Sequence, residues 1–386
     1  MKILISSCVR WWNAEAAYAA VLADGLRAEG HQVHVLTRPG TRNHDQLSAR
    51  GLPVITAPRL HPDAPWRWPG EVRRLRRWQQ AQGIELVDVF HAAELPLHLL
   101  AARGAGGPAV VRTRGTARPV SAHALNRAVY NRWCAGVITS AELLRRELLE
   151  RLGTPPERVS TIHYPALPVP AAQPGEAAAG RAALLRGLHL PDDALLVGIV
   201  GRVAREKGHR VLLEAWREVA GRHPRAVLLI VAKGYPGEAA ERAHLEALVG
   251  ALGLAERVRW LGFREDLPAV MRGLDVGVVP SLSSELNCRV AMEFFAAGTP
   301  VAAFPTGALP EVIAHGESGL LAPDHSAPAL AGLLGALLGD GVLRERLGRG
   351  AAAAAAGRFA PRRFLTQTLA VYEAALARRR GSVAQG

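Results

Sequence analysis

Two glutamates, Glu285 and Glu293, stand eight residues apart around the start of a short apolar segment. Gly298 and Pro300 end the helix that this segment predicts, which places Glu293 inside the helix and Glu285 in the loop before it. Strand-like runs flank this unit, and open α/β sheets bind ligands at the carboxyl ends of their strands. A carboxylate there can accept hydrogen bonds from two sugar hydroxyls, while free N–H groups at the helix start bind a phosphate. The alternative is a glutamate that only complements the helix dipole.

A second group of candidate residues lies in the sequence GRVAREKG, which starts at Gly201 and follows a strand-like run. Arg202 and Lys207 stand five residues apart in it, just before a predicted helix. A planar guanidinium and a point-like ammonium can together clamp a diphosphate and stabilise the charge that develops on a leaving nucleotide. The alternative is a solvated basic turn, which is our interpretation of Arg205. The chain has neither a Walker motif nor an Asp-x-Asp pair.

Strand-like and helix-like segments alternate along the chain, a pattern typical of a doubly wound α/β architecture. The predicted strands are Lys2–Ser7, Gln32–Thr37, Leu86–Phe90, Ala109–Thr113, Gly136–Thr139, Val159–Ile162, Leu195–Gly201, Val227–Val231, Val258–Leu261, Leu274–Pro280 and Val301–Phe304. The predicted helices include Glu15–Glu29, one from Glu71, one from His209, Ala327–Leu338, a polyalanine segment near Gly350–Gly357, and Arg362–Arg378.

A change in composition marks the boundary between two predicted domains. At 386 residues the chain is too long for one ordinary core. Residues 165–180 are rich in Pro, Ala and Gly and lack an apolar period, which indicates a linker. We expect an N-terminal domain over residues 1–168, a linker over 169–180, a C-terminal domain over 181–360 and a closing helix over 361–386.

Composition limits the classes of function that fit this chain. The net charge of +13 indicates an acidic partner, such as nucleic acid, an anionic membrane surface or a phosphate-rich substrate. The three cysteines, Cys8, Cys134 and Cys288, lie far apart without metal-ligand spacing, which suits a reducing cytosol. The first apolar run is too short for a signal sequence, and no apolar stretch is long enough to span a bilayer. We therefore expect a cytoplasmic protein that is soluble or peripheral.

An ordered set of residues over about forty positions closely resembles the donor-site signature of the retaining glycosyltransferases of family 4, also called glycosyl transferases group 1. The set comprises Glu285, Glu293, Gly298–Thr299–Pro300–Val301, Gly307, Pro310–Glu311–Val312, Gly316 and Gly319. The resemblance is strong after residue 195 and weak before it. It implies the GT-B fold, an α/β architecture of two Rossmann-like domains that face each other across an interdomain cleft. In that fold the last helix usually returns to the first domain.

The resemblance also implies roles for individual residues. Arg202 and Lys207 would hold the donor diphosphate, Glu285 the donor sugar and Glu293 the ribose hydroxyls. Further donor contacts are expected from Leu286, Asn287, Cys288, Arg289, Val290, Gly201, Lys233 and Gly262. The family commonly has glycines where this chain reads Ala-Lys-Gly around Lys233, so the base preference stays open. No metal or other cofactor is implied, since the cations take the place of a metal.

The N-terminal half departs from the family pattern at two loops. A paired-glycine loop is replaced by Arg-Trp-Trp-Asn-Ala-Glu, in which Trp12 and Asn13 are acceptor candidates. Trp11 and Trp12 could form an acceptor platform or a membrane-facing edge, and simple packing against a neighbouring loop is an equal alternative. A Thr-His-Gly motif is replaced by Thr-Arg-Gly, so Arg114 and Arg118 could contact an anionic acceptor or the donor phosphates. His91 is a further acceptor candidate at a strand end. No general base stands out, and the leaving phosphate is expected to deprotonate the acceptor.

The segment Trp66–Gln79 (WRWPGEVRRLRRWQ) combines three tryptophans with five arginines. This composition favours binding to an anionic membrane surface. Ordinary packing of an amphipathic helix into the domain is the alternative. No nucleic-acid motif accompanies the segment, so we expect no nucleic-acid partner.

Together these features predict a retaining glycosyltransferase that moves a sugar from a nucleoside diphosphate-sugar to an acceptor hydroxyl. The expected acceptor is a glycan or glycolipid of lipopolysaccharide or other cell-envelope synthesis, used at the inner face of the cytoplasmic membrane. Two alternatives remain: a GT-B nucleotide-sugar enzyme of other chemistry, such as an epimerase, and a catalytically silent scaffold.

Overall fold

The structure, a computed structural model, describes residues 1–56, 65–104, 106–167, 176–232, 234, 236–283 and 285–384. The chain divides into two compact units. Unit 1 comprises Met1–Tyr164 together with Pro361–Gly386, and unit 2 comprises Pro165–Ala360.

The strands within the described residues are β1 (Lys2–Ser6), β2 (Gln32–Thr37), β3 (Val54–Thr56), β4 (Leu86–Val89), β5 (Ala109–Arg114), β6 (Gly136–Thr139), β7 (Val159–Thr161), β8 (Leu195–Val200), β9 (Ala226–Val231), β10 (Val258–Leu261), β11 (Val276–Val279), β12 (Val301–Ala303) and β13 (Gly319–Leu321).

The helices within the described residues are α1 (Ala14–Ala28), α2 (Arg42–Ala49), α3 (Trp68–Gln82), α4 (Leu95–Ala101), α5 (Ala124–Ala128), α6 (Glu142–Leu152), α7 (Glu176–Gly187), α8 (His209–Arg222), α9 (Ala239–Ala251), α10 (Leu267–Arg272), α11 (Arg289–Ala296), α12 (Leu309–Val312), α13 (Ala327–Gly339), α14 (Gly341–Ala356) and α15 (Pro361–Ala384). A π-helical turn, Val129–Trp133, continues α5.

Unit 1 is built on a parallel sheet with the strand order β3-β2-β1-β4-β5-β6-β7. Side chains alternate between the two faces of a strand, so different helices cover each face. Ile3 and Ile5 of β1 pack with α1 and α15, whereas Leu4 packs with α4 and α6. The chain adds strands on one side of β1 and then on the other, so the reversal lies between β1 and β4.

Helix α15 packs against the unit 1 sheet through polar anchors as well as apolar contacts. The Tyr372 hydroxyl donates to the Asp88 carboxylate on β4 at 2.6 Å. Arg378 donates to the Ala135 carbonyl at 2.9 Å, and Arg379 to the Ala102 carbonyl at 2.8 Å. The two arginine bonds satisfy partly buried backbone acceptors at the ends of elements far away in sequence.

Unit 2 contains a second parallel sheet, ordered β10-β9-β8-β11-β12-β13, with its reversal between β8 and β11. Trp216 of α8 is fully buried in its core and donates to the Arg257 carbonyl at 3.1 Å. Gly277 of β11 lets α11 approach the sheet, because a Cβ there would lie 2.6 Å from the Phe294 ring. This close packing sets the position of α11, the helix that carries Glu293.

The predicted strands are all present, with ends that differ by one or two residues. Two strands were missed, β3 and β13, because a three-residue strand carries too little alternation to be recognised. The expected linker over 169–180 is wrong in its second part, since α7 begins at Glu176 and packs on α10. Residues 168–175 lie outside the described part of the chain.

In the described ranges, no single helix is long and apolar enough to cross a bilayer. One bent helix pair, Ala327–Gly339 with Gly341–Gly381, meets the length and composition requirement only when its two members are taken together.

Candidate functional site

Lys207 and Glu285 form an ion pair at the carboxyl edge of the unit 2 sheet. Lys207 lies in the turn after β8, and Glu285 in the loop between β11 and α11. Lys207 Nζ donates a hydrogen bond to Glu285 Oε1, and the Ser281 hydroxyl donates to the same oxygen at 2.7 Å. The Glu285 side chain is buried, so these two donors hold its carboxylate in one position. The structure thus joins two residues that the sequence placed in separate motifs.

Two glycines let the backbone pack closely around this ion pair. A Cβ on Gly208 would lie 1.9 Å from the Pro280 carbonyl oxygen, and a Cβ on Gly307 would lie 2.4 Å from the Glu285 carbonyl oxygen. Both glycines also have a left-handed backbone, with φ of +72° and +59°. A side chain at either position would therefore meet both a steric clash and a conformational penalty.

The loop that enters α11 holds a strained residue. Cys288 directly precedes the helix with φ +45° and ψ +30°, a left-handed conformation that costs a non-glycine residue about 1–2 kcal/mol. The neighbouring Asn287 has a buried side-chain oxygen with no hydrogen-bond partner among the described residues. Strain and an unpartnered polar atom, next to the free N–H groups of a helix start, are typical of a ligand site.

Glu293 lies one helical turn into α11, as the sequence predicts. Its Oε1 accepts a hydrogen bond from Arg289 Nε at 2.7 Å. Residues four apart lie on the same face of a helix, so this contact holds the Glu293 carboxylate on the face of α11 that carries Arg289. Leu286 is buried, and Val290 lies in the first turn of α11.

The two arginines of the turn after β8 differ in their surroundings. Arg202 pairs with Glu206 at 3.0 Å and is about half exposed. Arg205 is 92% exposed and lies 3.3 Å from Glu241. Exposed pairs of this kind contribute little to stability, so Arg202 is free to exchange Glu206 for an anionic ligand.

The remaining donor candidates lie at the ends of strands. Gly201 follows β8 with φ +149° and open space where a Cβ would be, and Gly262 follows β10. Lys233 lies outside the described residues. Within the described ranges, no group of three or more His, Cys, Asp or Glu side chains is arranged to hold a metal ion.

A separate cavity of about 1540 Å³ opens at the carboxyl edge of the unit 1 sheet. Its lining comes from the segments that follow β1, β2, β4 and β5, so it surrounds the reversal between β1 and β4. Open α/β sheets bind ligands at such reversals. Of the acceptor candidates, those that line it are Asn13, His91, Arg114 and Arg118.

Several of these candidates also have structural partners. Asn13 caps α1 by accepting a hydrogen bond from the Ala16 N–H at 3.0 Å. Arg114 is buried and pairs with Glu147 at 2.8 Å, so its charge is already partly neutralised. Trp12 does not line the cavity; it packs against the α1 side of the core and lies under the Arg50 guanidinium.

Sequence reasoning named His91 but missed two glutamates, Glu15 and Glu94, that line the same cavity. Burial raises the pKa of Glu15 to about 7, although Arg112 and His91 nearby oppose the rise. A hydrogen bond from His91 Nδ1 to Glu94, at 3.0 Å, raises the pKa of His91. One carboxylate oxygen of each glutamate is buried without a hydrogen-bond partner among the described residues. Glu15 belongs to the loop after β1 that differs from the family pattern, and this difference was the signal available in the sequence.

The basic segment Trp66–Gln79 comprises the end of a 3-10 turn, Pro65–Arg67, and most of α3. Leu75 and Gln79 are buried against unit 1, and Arg76 donates to the Leu100 and Ala101 carbonyls at 2.7 and 3.0 Å. Trp66 is exposed. Further arginines of the segment stay exposed, namely Arg67, Arg73, Arg74 and Arg77.

Two family models match this chain in sequence. The model described as glycosyl transferases group 1 matches residues 181–354, and the one described as glycosyltransferase family 4 matches residues 16–165. A D-inositol 3-phosphate glycosyltransferase of Acidothermus cellulolyticus is 34% identical over 327 residues, which cover 82% of this chain and 67% of that protein. Further proteins of that name, from Corynebacterium species, are matched over less than half of their own length.

Solved structures agree with the family match. A glycosyltransferase from Rickettsia africae ESF-5 has a TM-score of 0.85 at 16% identity, over 97% of this chain and 98% of that one. Anabaena Alr3699/HepE, solved in complex with UDP, has a TM-score of 0.80 at 20% identity, over 97% of this chain and 100% of that one. The chain therefore belongs to glycosyltransferase family 4 and is a glycosyltransferase with the GT-B fold.

Proposed function

We propose that this glycosyltransferase uses a nucleoside diphosphate-sugar bound by unit 2 and an acceptor hydroxyl bound by unit 1. The observation that carries the donor assignment is the partly buried Lys207–Glu285 ion pair beside the strained start of α11. Lys207 and Arg202 supply positive charge for the diphosphate, and the first N–H groups of α11 supply hydrogen-bond donors. Glu293 accepts the ribose hydroxyls, and Glu285 accepts hydroxyls of the sugar.

The reaction breaks the bond between the anomeric carbon and the β-phosphate oxygen, and the nucleoside diphosphate leaves with the electron pair. The acceptor oxygen forms the new bond on the same face, so the anomeric configuration is retained. Its proton passes to the departing phosphate oxygen. The protein contributes positioning and stabilises the developing charge through Arg202 and Lys207. Comparing the anomeric configuration of donor and product by NMR tests the retention.

The unit 1 cavity supports an anionic acceptor. The side chains of Arg10, Arg38 and Arg118 line it, and none has a hydrogen-bond or ion-pair partner among the described residues. The Acidothermus relative is named a D-inositol 3-phosphate glycosyltransferase, and an inositol phosphate would meet this charge requirement as acceptor. A glycan or glycolipid of the cell envelope that carries phosphate or carboxylate meets the same charge requirement. Transfer assays should therefore include both kinds of acceptor.

Nucleotide binding is the first test of the donor site. UDP, GDP, ADP and their sugar conjugates are added to the wild type, and the unfolding midpoint is measured. A ligand at a hundred times its Kd stabilises the protein by about 2.7 kcal/mol. For a unit of this size the midpoint rises by about 2–4 °C per kcal/mol. We expect one nucleotide to produce the shift and Glu293→Ala to abolish it.

The matched control is Glu345→Ala. Glu345 also lies on a unit 2 helix, α14, and also pairs with an arginine four residues away. It should keep the full nucleotide shift. If no nucleotide stabilises the wild type, or if both variants lose the shift equally, the donor assignment is wrong. Release of free nucleotide is then measured with and without an acceptor. Release only in the presence of an acceptor indicates sugar transfer and excludes epimerase-like chemistry.

A further inference from the structure

Apolar side chains line the unit 1 cavity; together we call them its apolar side, and a sugar phosphate alone would leave the exposed ones in water. Trp11, Leu125 and Trp133 line the cavity and are 71%, 58% and 41% exposed. Within the described residues, these are three of the seven large hydrophobic side chains that stand exposed. Apolar side chains collected at one site mark a binding surface, whereas scattered ones do not.

The exposed side chains continue into buried apolar ones. Leu95 and Leu99 of α4, with Val129 and Tyr130 of the π-helical turn, line the same cavity and belong to the core beneath it. A π-helical turn is rare and is often found at functional sites. The apolar side is thus part of the wall of the cavity.

The polar side of the cavity selects for negative charge. It carries the unpartnered guanidinium groups of Arg10, Arg38 and Arg118. A fourth arginine, Arg103, lies over the Trp133 ring at 5.1 Å from its centroid, which places a cation at the edge of the apolar side. The two carboxylates, Glu15 and Glu94, can accept hydroxyl donors through their unpartnered oxygens.

We infer that the acceptor of this enzyme is an anionic lipid, with a hydroxylated, negatively charged head in the arginine-lined part of the cavity and an apolar chain against Trp11, Leu125 and Trp133. This inference rests on the proposed function, because it names the acceptor of the same reaction. The exposed arginines of α3 support it, since α3 packs on α4 in the helical layer that forms the apolar wall. They would attract the anionic surface from which such a lipid is taken.

Tryptophan quenching by a brominated lipid tests the inference directly. The probe is a short-chain phosphatidic acid brominated in its acyl chain, used below its critical micelle concentration. We expect saturable quenching of the wild-type fluorescence. Trp11→Phe and Trp133→Phe should each lower the quenched amplitude, because they remove fluorophores that contact the chain. Trp66→Phe is the matched control, since Trp66 is 73% exposed in the same unit but does not line the cavity.

Two further ligands separate the contribution of the charge from that of the chain. The zwitterionic phosphatidylcholine of the same brominated chain should bind at least about tenfold more weakly, and Arg118→Ala should remove most of that difference. Glycerol 3-phosphate, which has the charge without the chain, should compete at least about a hundredfold more weakly than the lipid.

Four results would overturn the inference: no quenching of the wild type, glycerol 3-phosphate that competes as well as the lipid, equal binding of the two lipids, or quenching lost only in Trp66→Phe. The last result would mean that the lipid contacts the turn before α3 and leaves the cavity empty. The nucleotide-dependent midpoint is measured on the same samples. If a nucleotide still raises the unfolding midpoint but the lipid does not quench the fluorescence, only the lipid acceptor is rejected. If neither effect is seen, the proposed function is rejected as well.

Discussion

At the scale of single residues, the proposed donor site is held together by partners that a ligand can replace. Lys207 pairs with Glu285, Arg202 with Glu206 and Arg289 with Glu293. Each of these cations can therefore exchange its carboxylate partner for a diphosphate. Because the partly buried Lys207–Glu285 pair costs more to separate than the more exposed Arg202–Glu206 pair, Arg202 is the side chain that a diphosphate would recruit most easily.

Replacing Arg202 should identify the diphosphate contact. Arg202→Ala removes the cation that we propose stabilises the leaving phosphate, so kcat should fall by about a hundredfold or more. Arg205→Ala removes a cation three residues later in the same turn and should change kcat by less than about twofold. Steady-state rates of nucleotide release measure both. Similar losses in the two variants would show that the turn acts only through its overall charge.

The acceptor KM should depend on pH through Glu15. Burial raises the pKa of this carboxyl to about 7, so it is neutral at pH 6 and negative at pH 8. A negative Glu15 repels an anionic acceptor, and KM should rise by about threefold to tenfold over that range. Initial rates at pH 6, 7 and 8 measure this change.

Glu15→Gln is the decisive variant in that series, because it keeps the shape of the side chain and removes the charge. It should flatten most of the rise in KM. His91 loses positive charge as the pH rises and accounts for the remaining rise in KM. The double variant Glu15→Gln with His91→Gln should therefore show no rise in KM. An unchanged pH profile in the double variant would exclude both residues from acceptor binding.

At the scale of elements, the donor site depends on how closely the loops after β8, β11 and β12 approach one another. Glycines make that approach possible, and the packing of α11 on Gly277 sets the helix start. The expected roles of Glu285 and Glu293 therefore depend on backbone geometry contributed by other segments.

Gly307→Ala should test that dependence. The new Cβ would lie 2.4 Å from the Glu285 carbonyl oxygen and would move the loop that presents this carboxylate. Gly298→Ala is the control, because Gly298 has a similar φ of +74° but no atom within 4 Å of its Cβ position. Both variants should lose about 1–2 kcal/mol of stability from the left-handed backbone. Only Gly307→Ala should also lose nucleotide binding, measured by calorimetric titration; equal binding would mean that the loop tolerates the shift.

At the scale of the whole molecule, the C-terminal helix completes unit 1 through a buried polar contact. Tyr372 of α15 and Thr113 of β5 both donate to one oxygen of Asp88, at 2.6 and 2.9 Å. The other carboxylate oxygen has no partner among the described residues. Chain segments more than 280 residues apart thus share one buried carboxylate.

Asp88 should make the stability of unit 1 depend on pH. Burial raises the pKa of its carboxyl from 3.8 to about 6, against the opposing hydrogen bonds of Tyr372 and Thr113. The folded state therefore prefers the neutral form. Its contribution is fully present below pH 3.8 and is lost as the pH rises through about 6, by on the order of 3 kcal/mol.

Asp88→Asn should remove this dependence, because the amide stays neutral and its oxygen still accepts both hydrogen bonds. Burial lowers the pKa of His98 to about 3, so this residue makes the stability fall as the pH falls, opposite to Asp88. The effect of His98 is the same in variant and wild type and cancels in the comparison. Urea unfolding at pH 4.5, 6 and 7.5, with hydrogen exchange of α15 as the local signal, should show Asp88→Asn gaining relative stability as the pH rises. A constant difference would mean that Asp88 stays charged.

Much of this protein was determined by local sequence. The strands and most helices follow from apolar period and from glycine or proline at their ends, and the proposed donor residues from Glu285 to Glu293 share one short segment. Tertiary structure alone decided that Lys207 contacts Glu285, 78 positions away. It also decided that Glu15, His91 and Glu94 share one cavity with an apolar wall. Both results depend on strand order and on which side chains lose water, and these arise from long-range packing that no local pattern contains.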